Sequence, residues 1–462
     1  MLIKNSEALL SHGNVAGRRV VLDIIEAGLA AADPYANTLK ALRRNGDILT
    51  VGPSISPNGP GPQVCDLRRI GHIYVVGGGK AVQRQAKAFE DVLGDRITAG
   101  HICIKKGEQV ELKRIEVTLA GHPLPDQDSV EGASRIYEIL GQAREGDLVF
   151  WIRSGGGTAL LALPAEGLTL DDLLEVYRVL YFGAGASMPE ANSVRNLISS
   201  LNMKHQKYVR GATLIEFLAD EIPTGSRGHA SMASPGALDP YQRAMGVLNK
   251  YQVWDKIPQS VRDFMTRADP KHLPPSKAEI AQRPYFLYRV IDPHVMLGAA
   301  CARARELGVD GRILSTSLND VEAKPAGEVL GEIADEVETF RRPFAPPCAL
   351  ICGGETVVAV GAETGVGGRN QEFVLAASAR IAGSNSIVVG SVDSDGTDGP
   401  TKIAGGIVDG ETTSRVKAAG FELADELRHH NTSPVLEALG DTVVTGNTGT
   451  NLRDLRVVYI AA

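Results

Sequence analysis

The sequence predicts an α/β protein whose mostly parallel sheet is covered by helices on both faces. Apolar, strand-like runs alternate with amphipathic helical patterns, and glycine-rich turns follow several of the strands. The chain has 462 residues, and single cores stop growing at roughly 250–300 residues. We therefore expect two or three domains.

The first half opens its α/β pattern with a strand, a turn and a helix. The strand covers 73–76, glycines occupy 77–79, and a helical pattern runs from Lys80 to Leu93. The same periodicities predict further strands at 102–104, 115–119, 148–153 and 212–218, and helices at 128–143, 170–182 and 190–201.

A second α/β region follows a proline-rich stretch. Four prolines stand among charged residues between Arg267 and Pro284, which marks the best candidate for a domain junction. Beyond it the patterns predict helices at 293–307, 325–340 and 370–382, and strands at 311–316, 349–352, 357–360 and 387–392.

The composition of the chain argues against two classes of binding partner. Acidic residues outnumber basic ones by 55 to 48, for a formal charge of -7, and no basic run occurs, so we expect neither nucleic acid nor an acidic membrane surface as a partner. No uninterrupted apolar run reaches the roughly 18 residues of a membrane span, and no signal peptide is evident. The five cysteines form no CxxC motif. Together these features predict a cytoplasmic protein with reduced thiols.

The first glycine turn does not match two well-known nucleotide motifs. A Walker A loop requires glycine and Ser/Thr where Tyr74 and Ala81 stand. A dinucleotide fingerprint requires Gly or Ala where Val82 stands and an acidic residue after the next strand, where the chain has Lys105 and Lys106. The sequence therefore argues against a P-loop and against NAD binding.

Other site types are also excluded by single positions. Ile152 replaces the first glycine of a G-x-S-x-G nucleophile elbow around Ser154. The acidic loop from 393 onwards has Asp398 and Ala404 where a calcium loop needs glycine and glutamate. The sequence contains no dense cluster of His and Cys residues, so it predicts no zinc site.

Four polar residues remain as candidates for phosphate chemistry. Lys80 and Arg369 each follow glycines at the start of a predicted helix, where a cation and free N–H groups jointly suit an anion. A solvated lysine and a surface ion pair are the alternatives. Asp395 and Asp398 share a tight turn that suits magnesium or an alcohol proton, although Asx turns are a common alternative. His122 is interpreted as a loop histidine.

An ordered series of motifs resembles the glycerate 2-kinases with a MOFRL-type C-terminal domain, a family in which some members are labelled hydroxypyruvate reductase. The similarity covers about 20–458. The motifs are Gly77-Gly78-Gly79-Lys80-Ala81, Gly121-His122-Pro123-Leu124-Pro125-Asp126, Ser154-Gly155-Gly156-Gly157-Thr158-Ala159-Leu160-Leu161, Asn192-Ser193-Val194-Arg195, Gly353-Gly354-Glu355-Thr356, Gly367-Gly368-Arg369-Asn370-Gln371-Glu372, Thr397-Asp398-Gly399-Pro400-Thr401 and Thr445-Gly446-Asn447-Thr448-Gly449-Thr450-Asn451.

The resemblance implies a two-domain α/β protein with its active site in the interdomain cleft. A larger Rossmann-like, doubly wound N-terminal domain is expected at 1–275, and a smaller mixed α/β C-terminal domain at 285–462, with the MOFRL region at about 348–456. The implied reaction transfers the terminal phosphoryl of ATP, with Mg²⁺, to the 2-hydroxyl of D-glycerate. Lys80 and Arg369 match the family's essential lysine and arginine.

The remaining site residues are assigned on the same resemblance. Asp395 is the third catalytic candidate; Glu355, Asp395 and Asp398 are alternatives for holding metal or accepting the hydroxyl proton. The expected nucleotide- and phosphate-binding residues are Gly77, Gly78, Gly79, Ser154, Gly155, Gly156, Gly157 and Thr158. The expected substrate residues are Asn192, Arg195 and Glu372, and the expected metal ligands are Glu221, Glu355 and Asp398.

Several positions depart from the family pattern. Glu221 replaces an aspartate, the acidic pair after it is absent, and Arg227 and His229 appear before the changed run 232–236. Other departures are Asn196 for lysine, Asn202-Met203-Lys204 for Lys-Gly-Gly, and Asn431-Thr432-Ser433 for Asp-Ser-Tyr. A changed charge pattern on the substrate side would favour a different or larger sugar acid, a shifted metal site or reduced activity.

The sequence leaves three functions open. The leading hypothesis is an ATP-dependent kinase of glycerate or a related sugar acid; the alternatives are an NAD(P)-dependent hydroxypyruvate reductase and a non-catalytic member that binds a sugar acid or nucleotide. We expect small-molecule partners, a sugar acid and ATP, with a homodimer as the candidate assembly.

Overall fold

The computed structural model describes residues 1–225, 239–361, 363 and 365–462. Its strands are β1 (Leu42–Asn45), β2 (Ile48–Val51), β3 (Gln63–Asp66), β4 (Ile73–Gly78), β5 (Ala99–Lys105), β6 (Glu116–Ala120), β7 (Leu148–Arg153), β8 (Thr213–Ala219), β9 (Tyr285–Ile291), β10 (Asp310–Ser315), β11 (Cys348–Gly354), β12 (Ile387–Asp393), β13 (Gly405–Asp409), β14 (Thr442–Val443) and β15 (Asp454–Ile460).

The α-helices alternate with these strands over most of the chain. They are α1 (Ser6–Leu9), α2 (Val15–Ala31), α3 (Pro34–Ala41), α4 (Val82–Leu93), α5 (Gln127–Gln142), α6 (Gly157–Leu160), α7 (Leu170–Tyr177), α8 (Met188–Arg195), α9 (Pro240–Lys250), α10 (Gln259–Arg267), α11 (Lys277–Ala281), α12 (Pro293–Glu306), α13 (Ala323–Phe340), α14 (Arg369–Arg380), α15 (Thr412–Ala418), α16 (Leu423–Arg428) and α17 (Thr432–Leu439).

The chain divides into two compact units with interleaved segments. Among the described residues, the glycine-turn unit comprises 34–219 and 239–290, and the C-terminal unit comprises 1–33, 220–225 and the described part of 291–462. The sequence-based boundaries of 1–275 and 285–462 differ from this division at the start of the chain. The reason is packing: Val388 and Leu455, in β12 and β15, lie against Gly17 and Gly28 of α2.

The glycine-turn unit is built on a six-stranded sheet with the order β6-β5-β4-β7-β8-β9. The pairs β6–β5, β5–β4, β4–β7 and β7–β8 are parallel. Alternate strand residues face opposite sides. Tyr74 and Trp151 belong to a core with α5, whereas Phe150 packs against Phe89 of α4, with ring centroids 4.7 Å apart. Helices therefore cover both faces, and the predicted fold class is confirmed.

The C-terminal unit contains a mixed sheet with the order β10-β11-β15-β12-β13-β14. β10 and β11 are parallel, whereas β15 pairs antiparallel with both β11 and β12. Helices α13 and α14 bury one face through residues such as Phe373, against Leu350 and Val458. Helix α2 lies on the other face. Its Arg18 is fully buried and binds Asp409 and Asp441, each at 2.6 Å.

Several predicted elements shift in the structure. The helix expected from Lys80 begins at Val82, and the one expected at 190–201 ends at Arg195. No strand forms at 357–360, where Val357 makes only an isolated bridge with Glu322. Among the described residues, no helix combines the length and apolar character that a membrane crossing requires.

Candidate functional site

The two N-terminal glycine turns meet at the point where the strand order of the parallel sheet reverses. From β4 the chain proceeds outward through β5 and β6, and then returns to β7 on the other side of β4. Lys80 follows the carboxyl end of β4, and Ser154 follows that of β7. Ligands of open α/β sheets bind in the crevice outside such adjacent strand ends. The topology therefore makes this edge the candidate site of the unit.

The turn after β4 requires glycine for steric reasons. Gly77 and Gly79 have positive φ values of 157° and 146°. A Cβ atom at Gly79 would overlap the hydroxyl of Ser154 and lie 2.8 Å from its carbonyl oxygen. The two turns are thus packed directly against each other.

Hydrogen bonds join the two turns. The backbone N–H of Lys80 donates to the carbonyl of Gly155 at 2.9 Å, and that of Ala81 donates to Oγ of Ser154 at 2.9 Å. The Ser154 hydroxyl is therefore a structural acceptor at the start of α4. Gly156 adopts the left-handed conformation, with φ of 87°, immediately before α6.

Lys80 has charged and aromatic neighbours that the sequence did not identify. A Cβ atom at Gly156 would lie 3.2 Å from Cγ of Lys80 and 3.1 Å from the ring of His122, so both side chains border this turn. Burial raises the pKa of Glu108 to about 7, while the positive charges of Lys105 and Lys80 oppose that shift. His122 was expected to be an ordinary loop histidine, but it borders the candidate site.

The predicted substrate residues of this unit lie behind the Ser154 turn. Asn192 accepts a hydrogen bond from Nη1 of Arg195 at 3.1 Å, and the Arg195 guanidinium stacks 4.3 Å from the Tyr177 ring centroid. Arg195 is only 8% exposed, and burial lowers its pKa to about 10. Asn202 donates to the carbonyl of Thr158 at 3.1 Å, which ties this layer to the glycine turn.

In the C-terminal unit, Asp398 holds the start of α14. Its carboxylate accepts the backbone N–H groups of Asn370 and Gln371 at 3.0–3.1 Å. A Cβ atom at Gly368 would overlap this carboxylate, which explains the glycine before Arg369. Asp398 is fully buried, so its observed role is to bind the helix N-terminus.

Arg369 lies over a row of aligned strand residues. Gly354, Asp454 and Asp393 are register partners across β11, β15 and β12. Nε of Arg369 donates to both oxygens of Asp454 at 3.0 and 3.1 Å, and Nη2 contacts Asp393. Its Nη1 lies 3.4 Å from Glu355. The guanidinium is therefore oriented by three carboxylates, and its Nη1 edge has the longest contact.

The two buried aspartates of this row differ in their proton affinity. Burial raises the pKa of Asp393 well above its ordinary value, although Arg369 opposes the shift. Burial also opposes ionisation of Asp454, but Arg369 and Arg456 outweigh it and lower its pKa. Asp454 is consequently the charged partner that fixes Arg369.

The remaining acidic candidates occupy separate positions. Asp395 accepts the backbone N–H and the hydroxyl of Thr397 at 2.9 and 2.7 Å, which is the Asx turn considered as an alternative. Arg453 lies between Glu221 and Glu355, at 3.8 and 3.6 Å. Within the described ranges, no group of three or more His, Cys, Asp or Glu residues is placed to hold a metal ion.

Glu372 is buried next to His430 rather than next to Arg369. His430 Nδ1 lies 2.8 Å from its carboxylate, and burial raises the pKa of Glu372 while His430 opposes the shift. The roles of Glu372 in substrate binding and of Glu221, Glu355 and Asp398 in metal binding stay predictions. Arg227, His229 and 232–236, which depart from the family pattern, lie outside the described residues.

Four charged residues near this site were not predicted from the sequence: Asp393, Asp454, Arg453 and Arg456. A signal was present, because the charged residues at 453, 454 and 456 interrupt an otherwise apolar strand that runs to Ile460. Arg456 and Asp454 are fully buried and contact each other, and Nη2 of Arg456 also donates to Thr356 at 2.9 Å. Buried, paired charges at a strand end are a recognisable mark of a functional site.

Known proteins match this chain over nearly its whole length. Residues 20–266 match the family described as a domain of unknown function (DUF4147), and 348–454 match the MOFRL family. A glycerate 2-kinase of Pyrococcus horikoshii is 35% identical, with 96% of this chain and 98% of that protein covered. A putative hydroxypyruvate reductase of Agrobacterium vitis is 30% identical, with 99% and 98% covered. The crystal structure of a glycerate kinase from Thermotoga maritima superposes with a TM-score of 0.78, at 30% identity and 96% and 99% coverage.

Proposed function

This chain belongs to the DUF4147–MOFRL family, which includes the glycerate 2-kinases, and on that premise we propose that it transfers the terminal phosphoryl group of ATP to the 2-hydroxyl of D-glycerate. The observation that supports this most strongly is the near-complete match to a glycerate 2-kinase at 35% identity. The two interlocked glycine turns at the strand-order reversal are consistent with phosphate binding.

Each of the two units contains one cationic side chain that suits phosphoryl transfer. Phosphoryl transfer requires positioning and neutralisation of charge rather than covalent catalysis by the protein. We propose that Lys80, beside the N–H groups of the Ser154 turn, binds ATP phosphate oxygens, and that the Nη1 edge of Arg369 stabilises the transferred group. The expectation that both act in an interdomain cleft stays a prediction.

The reaction also needs an acceptor for the hydroxyl proton. The glycerate oxygen forms a bond to the γ-phosphorus, the bond from that phosphorus to the β,γ-bridging oxygen breaks, and ADP leaves. Asp395 is our candidate for the proton acceptor, and Arg195 and Asn192 are our candidates for binding the substrate carboxylate. Arg195 is buried and donates to the neutral amide of Asn192, so its guanidinium suits an anionic ligand.

Magnesium is proposed to enter with ATP. Mg²⁺ commonly uses one or two carboxylates together with substrate phosphates, so a dedicated cluster of protein ligands is unnecessary. Glu355 is a partly exposed carboxylate whose hard oxygen donors suit this ion. When bound, the ion would neutralise charge on the phosphates.

The hydroxypyruvate reductase alternative rests on the name of the Agrobacterium vitis relative. The geometry argues against it, since β5 pairs beside β4 and ends at Lys105, where a dinucleotide site has its ribose-binding acid. A non-catalytic role is a further alternative, motivated by the changed residues around 220–236.

One experiment separates these functions. The full chain is incubated with D-glycerate and MgATP, and in parallel with hydroxypyruvate and reduced NAD or NADP. We expect ADP formation that depends on glycerate, and a product that enolase converts without a mutase. Oxidation of the reduced cofactor without ADP formation would overturn the proposal; ligand-induced thermal stabilisation without turnover would favour the non-catalytic role.

Variants test the two cations. Lys80→Ala and Arg369→Ala are expected to lower turnover by at least about 100-fold while the far-ultraviolet circular dichroism stays unchanged. Arg267→Ala, at an exposed position in α10, serves as the control. Near-normal turnover of both test variants would contradict the assigned roles.

A further inference from the structure

The glycine-turn unit contains a second, basic cavity at the opposite edge of its sheet. Its volume is about 310 Å³, which is at the lower end of the range of small-molecule sites. It lies beside the amino ends of β8 and β9, whereas Lys80 and Ser154 follow the carboxyl ends of β4 and β7. We refer to it as the basic cavity. It is lined by Gln206, Lys207, Val209, Arg210, Gly211, Ala212, Leu214, Ile280, Arg283, Pro284 and Tyr285.

Its lining carries positive charge without a carboxylate. Lys207, Arg210 and Arg283 all line the cavity, and none of the lining residues is acidic. Burial lowers the pKa of Lys207; Glu279 opposes this shift and the nearby positive charge of Arg283 adds to it. Cations that repel one another around a common space are stabilised when an anion enters it.

The cations are held at fixed positions on the cavity wall. Arg283 donates through Nη1 to the carbonyl of Gln206, and Lys207 donates through Nζ to the carbonyl of Lys271 at 3.1 Å. Neither of these acceptors is a charged group, so the contacts place the side chains without neutralising them. Two guanidinium forks and one ammonium suit the oxygens of a phosphoryl group.

The uncharged part of the cavity wall indicates which other chemical groups the anionic ligand contains. Val209, Leu214 and Pro284 provide an apolar surface for carbon atoms. Gln206 is 8% exposed, and its Oε1 is buried with no hydrogen-bond partner among the described residues. This oxygen has almost no accessible surface, so a ligand in the cavity contacts the apolar wall rather than Oε1 of Gln206.

We propose that the basic cavity binds a small organic phosphate, at a site separate from the Lys80 turn. Arg283, Lys207 and Arg210 bind the phosphoryl oxygens, and Val209, Leu214 and Pro284 contact the carbon atoms of the ligand. The proposal does not depend on the kinase reaction, because it concerns other residues and its test measures binding.

Isothermal titration calorimetry of the full chain tests the site with glycerol phosphate and, separately, inorganic phosphate. We expect glycerol phosphate to bind more tightly, with one site outside the Lys80 turn. Arg283→Gln and Lys207→Gln should each weaken binding by about tenfold or more, since each removes a charge-assisted contact. Arg267→Gln, in the same unit but outside the cavity, is the matched control and should bind as the unmodified protein does.

Two further variants keep the result decisive. Lys80→Ala should retain the binding, and loss of binding in that variant would assign the ligand to the glycine turns and overturn the proposal. Arg210→Gln, at an exposed residue, replaces Arg283→Gln if the latter fails to fold. No binding of glycerol phosphate, equal binding by inorganic phosphate, or binding unchanged in the cavity variants would each overturn it.

Discussion

Nε of Arg369 donates to both carboxylate oxygens of Asp454, at 3.0 and 3.1 Å. Asp454 is fully buried, and its lowered pKa reflects burial outweighed by Arg369 and Arg456. This pair connects the start of α14 to the start of β15. It therefore links the orientation of a proposed catalytic group to the stability of the C-terminal unit.

Asp454→Asn should impair both properties. Loss of the charge leaves the buried Arg456 without its carboxylate partner and removes one of the three carboxylates around Arg369. We expect the free energy of unfolding to fall by about 3 kcal/mol, at the lower end for a broken buried pair. Denaturant unfolding measures this change, and turnover should fall as Arg369 loses its orientation. Asp335→Asn, at an exposed position of α13, is the control. A loss below about 1 kcal/mol would contradict the importance of this pair.

Gly79→Ala should abolish the phosphate turn. The positive φ of 146° is strained for alanine, and its Cβ would overlap the Ser154 hydroxyl. We expect loss of nucleotide binding in calorimetry and a lower melting temperature. Gly141→Ala provides the contrast, because that glycine lies within α5 and a Cβ atom added there would meet no other atom within 4 Å, and alanine favours a helix by about 1 kcal/mol. Full nucleotide binding by Gly79→Ala would rule out this arrangement.

Ser154→Ala tests the bond between the two turns. Without the hydroxyl, the buried N–H of Ala81 loses its acceptor, and the free energy of unfolding should fall by about 1–3 kcal/mol. We expect the KM for ATP to rise because the start of α4 shifts. Ser134→Ala is the control, since that hydroxyl bonds to the carbonyl of Val130 within α5. Unchanged stability and KM would show that the Ser154 hydroxyl is dispensable.

Because Lys204 is buried, we expect the stability of the protein to depend on pH in an unusual way. Burial lowers its pKa from 10.5 to about 7, and Nζ donates to the carbonyl of Leu197 at 2.8 Å. Below pH 7 the lysine is protonated in both the folded and the unfolded state, so the full penalty of a buried charge applies. Between about pH 7 and 10.5 the unfolded state binds more protons, so stability rises with pH.

Comparison with Lys204→Met isolates this effect. The free energy of unfolding of the unmodified protein should increase relative to the variant from pH 7 to pH 10, by about 1.4 kcal/mol for each tenfold difference in proton affinity between the two states. Denaturant titrations over this range measure the difference. A constant difference between the two proteins would mean that Lys204 titrates normally.

The sequence predicted the fold where hydrophobic periodicity determines structure. The strand at 148–153 is observed with the predicted bounds, and the helix expected at 325–340 occupies Ala323–Phe340. The sequence-based prediction failed where tertiary contacts determine the local structure. Lys80 does not begin a helix, because the backbone of Ala81 after it is not helical, with φ of −111° and ψ of 1°. The N–H of Lys80 instead bonds to Gly155, which is distant in sequence. Residues 357–360 are apolar, yet they form no strand, because only Val357 forms a β-bridge with another segment.

The candidate site was also predictable where local sequence determines it, and not where it depends on distant residues. Glycine spacing identified the turns around Lys80 and Ser154, because steric limits at such turns are local. Asp454 was missed because its role depends on register with Gly354 and Asp393, from two other strands. The role of Asp398 as a metal ligand stays a prediction, but its contact with the N-terminus of α14 was not predicted, because that contact depends on long-range packing.

The packing of α2 against the sheet of the C-terminal unit affects the order in which the protein can fold. The ribosome synthesises α2 long before β12 and β15, against which it packs. Until those strands emerge, the apolar side of α2, including Val21 and Ile25, lacks its native partners. The C-terminal unit can thus complete its core only after translation of the glycine-turn unit.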